Sequence, residues 1–332
     1  MALGSRIGTL ALSLLLVGCS SGCLTAQKCP PPRGLPEGLP KRLSETGLYR
    51  DIRKGELAEG VRFYVPRFEL WTDGAEKRRW IALPPGARID TSDMEDWQFP
   101  VGTKLWKEFV RNGVRVETRL LQKIGPGAGD WSAVAYVWRE DESDAVAAPE
   151  GRENARQTPH DVPTAVECFA CHGGRKSRVL GFSAIQLSWK PKEPALALDE
   201  LVAEGRLTHP PQKPIRVPGT QIEQAALGLL HANCGHCHNS RRPKRGSECF
   251  DPSGTSIELW LPTDRSRPED TPAYRTTIPH FVRPGDPDDS WLIERYSSRG
   301  SILGYREQMP PLGTEEVDVE GLKILRRWVE SL

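Results

Sequence analysis

The pentad Cys-x-x-Cys-His occurs twice, as Cys168-Phe169-Ala170-Cys171-His172 and as Cys234-Gly235-His236-Cys237-His238. It constrains the fold more than any other feature, because a chain that carries it is built around something other than its own side chains. Two thiols three positions apart reach the two vinyl groups of one porphyrin, and the histidine that follows lies beneath the iron as proximal ligand. Two covalently attached haem c groups are therefore expected, one on Cys168 and Cys171 with His172, the other on Cys234 and Cys237 with His238.

Three other uses of the cysteines fit less well. A four-cysteine zinc site would join two C-x-x-C pairs, but sixty-two residues separate Cys171 from Cys234, against roughly 15 to 20 in compact zinc ribbons. Zinc also gives no reason for His172 and His238 to follow directly. A thiol oxidoreductase would want a strand before Cys234 and a helix after it, whereas a helical pattern precedes and the polar run Asn239 to Gly246 follows. Structural disulfides have no use for the repeated histidine.

The start of the chain indicates export. Arg6 and the apolar run Ile7 to Val17 have the form of a secretory signal, too short to span a bilayer. Leu16-Val17-Gly18-Cys19 resembles the lipobox of bacterial lipoproteins, which makes residues 1–18 a lipoprotein signal peptide and Cys19 the acylated, membrane-anchoring residue. Residues 19–46 follow as a Pro/Gly-rich tether, with five prolines and two glycines between Cys23 and Lys41. Two of Cys23, Cys29 and Cys249 can pair in an oxidising compartment, and the odd count leaves the choice open. With 45 basic and 44 acidic side chains the net charge is +1, which argues against a nucleic-acid partner.

Residues 47–150 read as a β-rich domain. Val114, Val116, Thr118 and Leu120 alternate with Arg115, Glu117, Arg119 and Leu121, and Val134, Tyr136 and Trp138 alternate with smaller residues. Further strands are expected over 61–71, 78–83 and 103–110, separated by turns such as Asn112-Gly113, in a β-sandwich or open barrel. Six of the ten tryptophans fall here; they suit core packing better than a carbohydrate platform. The acidic loop Asp90, Asp93, Glu95, Asp96 lacks an EF-hand pattern, so a solvated loop is expected in preference to a calcium site.

Residues 151–218 form the first haem-binding segment and 219–332 a mainly α-helical region with the second haem, giving an α+β multidomain chain. Ile222, Ala225, Ala226, Leu229 and Leu230 recur at helical spacing and lead into Cys234; in the cytochrome c family, which this region resembles, the last helix crosses this one, which would make Gly228 a place for close approach. That last helix is expected to be capped by Thr314, with Leu322, Leu325, Trp328, Val329 and Leu332 as its apolar stripe. Another helix is expected to start at Asp286-Pro287. Only three methionines exist, Met1, Met94 and Met309. The Pro-flanked loop Gln308-Met309-Pro310-Pro311 presents a soft thioether, and Met309 is assigned as the second ligand of the iron above His238.

Four strings, WTDGAEKRRWIALPPG (71–86), FPVGTKLWKEF (99–109), HANCGHCHN (231–239) and QMPPLGTEE (308–316), resemble a largely uncharacterised family of exported bacterial dihaem c-type cytochromes with an N-terminal β domain. From 219 onwards the chain also resembles class I cytochrome c. The resemblance implies haem on both pentads and assigns no reaction.

The first haem has no methionine loop downstream. Its sixth ligand is sought among Met94, which would link the β domain to the iron, and His160, His209, His231 and His280. With both irons six-coordinate the chain would be an electron-transfer protein with no catalytic residues, handing electrons between a donor and an acceptor protein from an exported, membrane-anchored position on the periplasmic or outer side. A dihaem peroxidase or oxidase with one open iron, or a cytochrome subunit whose β domain binds a carbohydrate or partner, are the alternatives.

Overall fold

The computed structural model describes residues 29–30, 33–244, 256–302, 305–306 and 308–332. Strands β1 (Tyr49–Asp51) and β2 (Glu56–Leu57) make a small ribbon. They are followed by β3 (Val61–Tyr64), β4 (Glu76–Ala82), β5 (Lys104–Arg111), β6 (Val114–Lys123), β7 (Trp131–Trp138) and β8 (Ala145–Ala147). The last six form one antiparallel meander in sequence order. The α+β class is confirmed, but the β region is a single open sheet with other parts of the chain on its faces. No second large sheet forms a sandwich among the described residues. The β5–β6 hairpin turns at Asn112-Gly113, whose φ values of 53° and 76° give the left-handed pair that a tight two-residue hairpin needs.

Side-chain alternation sorts the sheet into two unlike faces. One carries Trp80, Trp106, Leu120, Val134, Tyr136 and Trp138, covered by the N-terminal segment through Leu39, Leu43 and Leu48. Leu43 and Leu48 are wholly buried and the Tyr136 hydroxyl donates to the Pro40 carbonyl at 2.9 Å. The C-terminal end of the expected tether is thus part of the core, because its leucines offer the apolar surface that the prolines do not. The opposite face is apolar at one end (Ile81, Leu105, Leu121, Ala133) and packs on the first pentad segment through Cys168, Val179 and Phe182. At its other end that face is charged. Five of the six tryptophans of the β region, Trp80, Trp97, Trp106, Trp131 and Trp138, are buried, as core packing requires.

The helices are α1 (Cys168–His172), α2 (Ala184–Leu187), α3 (Leu198–Ala203), α4 (Gln221–Asn233), α5 (Pro272–Thr277), α6 (Trp291–Ser297) and α7 (Val319–Glu330); β9 (Ser301–Ile302) and β10 (Tyr305–Arg306) pair between the last two. Among the described residues only α4 and α7 exceed two turns, and they pack against each other. The Thr220 hydroxyl and Glu223 carboxylate form a reciprocal cap at the start of α4. Helix α7 begins later than its acidic signal suggests: Asp318 caps it by accepting from the Gly321 amide at 2.9 Å. The Glu315 and Glu316 amides turn to Asp73 of the β region instead, at 3.0 and 2.8 Å. Helix α6 likewise starts at Trp291 and not at Asp286, whose carboxylate closes a turn by accepting from the Asp289 amide. Gly228 does make room for a neighbour, but the neighbour is Phe68: a Cβ there would stand 2.0 Å from that ring.

Candidate functional site

The two pentads, far apart in sequence, are brought together at Gly174, two residues past the first. A Cβ on Gly174 would lie 1.6 Å from the His236 carbonyl oxygen, so only glycine permits the approach. The Asn239 amide nitrogen fastens the junction, donating to the carbonyls of Gly235 (2.9 Å), His236 (3.1 Å) and Gly174 (3.3 Å). No spacing rule in the sequence signals this junction.

The first pentad forms α1. Cys168 is buried in the apolar cluster against the sheet, and burial pushes its thiol up to about 11. Cys171 and His172 are half-buried. His172 Nδ1 lies 2.6 Å from the Arg178 carbonyl. A carbonyl only accepts, so Nδ1 carries the proton and Nε2 keeps its lone pair, the arrangement of a metal-ligating histidine oriented by its outer neighbour. Burial, then the Lys107 charge, hold this ring neutral by lowering it to about 3.

The second pentad follows α4 and closes as a turn, with the Cys237 and His238 amides donating to the Cys234 carbonyl. Cys234 sits in the apolar cluster of α4 and α7, its thiol pushed up to about 12 by burial. His238 is buried and lowered to about 4 by burial and by His236. All four pentad cysteines are free thiols, while Cys29 is disulfide-bonded. The assignments at Cys19, Cys23 and Cys249 lie outside the described residues.

Met309 stands on the loop between β10 and α7, half-buried, its amide donating to the Arg295 carbonyl of α6 at 2.8 Å. Met94 packs against the cluster that contains Cys168 and Phe169. The histidines considered beside it are mostly occupied. His160 is buried 2.7 Å from Glu117, His231 Nδ1 accepts from the Leu261 amide at 3.1 Å, His209 Nδ1 lies 3.0 Å from the Thr208 hydroxyl, and His280 is exposed.

The acidic loop around Met94 is solvated only in part: Asp90 is exposed and Asp93 half-exposed, while Glu95 and Asp96 turn inward. Asp96 is buried, accepts from the Ser177 amide at 3.1 Å and lies 3.9 Å from the buried Arg175 guanidinium. Glu95 accepts from the Trp260 indole at 2.9 Å and from the Thr263 amide at 2.7 Å, and Asp93 pairs with Arg241. The loop thereby ties together the residues that follow both pentads. Its carboxylates are spent on cations and amides, so sequence alone, which shows only their number, misjudges them.

No family model, no curated protein and no solved structure matches the chain. The resemblance to an exported dihaem cytochrome family is therefore not upheld. Among the described residues no group of three or more His, Cys, Asp or Glu side chains is placed to hold a metal ion. The similarity to class I cytochrome c fails with it, since most helices of the second half are two turns or shorter and long loops connect them.

Proposed function

We propose that the chain is a dihaem electron-transfer protein, with haem c on Cys168 and Cys171 under His172 and on Cys234 and Cys237 under His238. The observation that supports the reading is that two separate Cys-x-x-Cys-His pentads are brought close together, Gly174 just after the first packing on His236 of the second. A porphyrin supplies four of its iron's ligands, so one histidine from the chain, with one further side chain, completes the set and no larger ligand cluster is required. The buried thiols favour this use over zinc. Burial keeps them neutral, which suits conversion to neutral thioethers and opposes the thiolates that zinc takes. Haem would supply a one-electron couple at each site, while the chain orients the proximal histidines and excludes water from them.

Met309 and Met94 are the proposed sixth ligands of the second and first iron, Met94 because it packs on the Cys168 cluster. Export and anchoring through Cys19 rest on the signal and lipobox residues. A mainly helical haem region framed by α4 and α7 belongs to the same reading, as do a protein donor and acceptor.

The test is the haem content of protein matured in a host that attaches haem c. A pyridine haemochrome assay should return two haems per chain, and one after Cys168→Ala or Cys234→Ala. Met309→Ala should lower one midpoint potential, since thioether ligation raises it. Zinc without iron in the purified protein would end the proposal. A high-spin ferric signal with peroxide turnover that depends on His172 would replace it by the peroxidase reading.

A further inference from the structure

The charged end of the sheet face beside the first pentad has more cations than it uses. Cross-strand pairing puts Arg79 of β4, Lys107 of β5 and Arg119 of β6 in one row, with Lys77, Phe109 and Glu117 in the next row on the same face. Two carboxylates pair with this set. Glu117 lies 2.5 Å from Arg119 and Glu69 lies 3.1 Å from Arg79. Lys77 donates to the Ala75 carbonyl at 2.9 Å, and Lys107 has no carboxylate partner among the described residues, only the Phe109 ring at 5.2 Å. Asp318, the remaining acid whose charge reaches Lys77, is occupied by the Tyr296 hydroxyl and the start of α7.

Four cations face two paired carboxylates, so Lys77 and Lys107 lack an acid of their own, and burial with the neighbouring cations lowers them to about 8 and about 7. Lys107 and Arg119 are largely buried yet keep some accessible surface, as do Cys171 and His172 of α1. The Lys107 and Arg119 charges reach His172 and Cys168. Unmatched charge in such a place is costly unless an anion joins it.

We propose that Lys77, Arg79, Lys107 and Arg119 form a docking site for two carboxylates, the propionates of a haem joined to Cys168 and Cys171. The inference rests on the haem reading above, and it explains why the β domain is fused to the pentads, since its charged face neutralises the group that α1 holds covalently. A free dianion such as phosphate shares this chemistry, but the tie to Cys168 and Cys171 favours a group already held at α1.

The experiment uses a form with only the first pentad, Cys234→Ala with Cys237→Ala, and a form with only the second as control. Lys77→Gln with Lys107→Gln removes the two lysines that lack an acid; Lys77→Arg with Lys107→Arg keeps a cation at both positions. In the first-pentad form the Gln pair should lower the midpoint potential and make it vary with pH in the neutral range, because losing nearby cations raises a carboxyl by about 1 to 3 units. The propionate bending bands of the resonance Raman spectrum should shift as well. The Arg pair should restore both, and the second-pentad form should not respond. Bound haem with unchanged potential and bands would overturn the docking site. So would a potential in the first-pentad form that moves with added inorganic phosphate and stops moving in the Gln pair, which would assign the site to a free anion. Failure of the first-pentad form to hold haem before any lysine is changed would instead overturn the haem reading itself.

Discussion

The first pentad lies against a sheet face with four cations and a buried Glu117, whereas the second follows a thirteen-residue helix into an apolar cluster with α7. The same five-residue pattern is thus placed in two different dielectric and charge surroundings. Potential at an iron responds to burial and nearby charge as well as to axial ligands, so two such sites in one chain need not be equivalent. The difference lies in what the remainder of the chain brings to each pentad, not in the five residues.

The comparison breaks first at Glu117. Its carboxylate has no exposed surface and meets both Arg119 and His160, so Glu117→Ala leaves the Arg119 charge and the buried His160 ring without their partner. The expected loss is about 3 to 5 kcal/mol in chemical denaturation, with amide exchange in α7 slowed or hastened no more than global stability requires. Burial pushes this carboxyl up, but Arg119 and His160 outweigh it and leave it below its ordinary value. A lowered carboxyl contributes fully above its unfolded pKa and loses that contribution as pH falls through its folded value. The gap between wild type and variant should therefore be constant from neutral pH to about 5 and shrink below about 4; a gap that widens on acidification would refute the assignment.

Gly174→Ala tests whether the two surroundings are mechanically joined. A methyl group against the His236 carbonyl must push the two segments apart, at about 1 to 3 kcal/mol for overpacking, and in protein that carries the proposed haems the spectra of both should change together. Perturbation of one alone would mean that the junction does not couple them. The smallest effect is expected at Arg241→Ala. Its pair with Asp93 is about 40% exposed, 38% and 43% on the two sides, and should be worth no more than about 1 kcal/mol in denaturation. A larger loss would show that the acidic loop, and not the Gly174 junction, is the main fastening.

Much of this was legible in sequence. Alternation located β4 to β7, and α4 and the stripe of α7 followed from helical spacing, because both periods are written locally. The pentads themselves are local too. Long-range partners left no such trace. Asp73 competes with Thr314 for the approach to α7, Phe68 occupies the notch at Gly228, and Arg175 and Ser177 claim Asp96. Each depends on a residue about 80 or more positions away, which no local pattern reports. The cation rows were visible only as alternating charges in β4, β5 and β6; strand register turned them into one patch.

The acidic loop also bears on the order in which the molecule comes together. Its bonds to Arg175 and Ser177 span 80 and 81 residues, and those to Arg241, Trp260 and Thr263 span 148, 165 and 168. Closing such distances costs chain entropy before any bond repays it. A ribosome delivers residues 93–96 long before their last partners, and the whole six-stranded meander is complete at Ala147. The loop must wait for Thr263. Until then Cys168 and Cys171 stand on a finished sheet with the fastening above them still open, so the interval between those two points of synthesis is when the first thiol pair is easiest to reach.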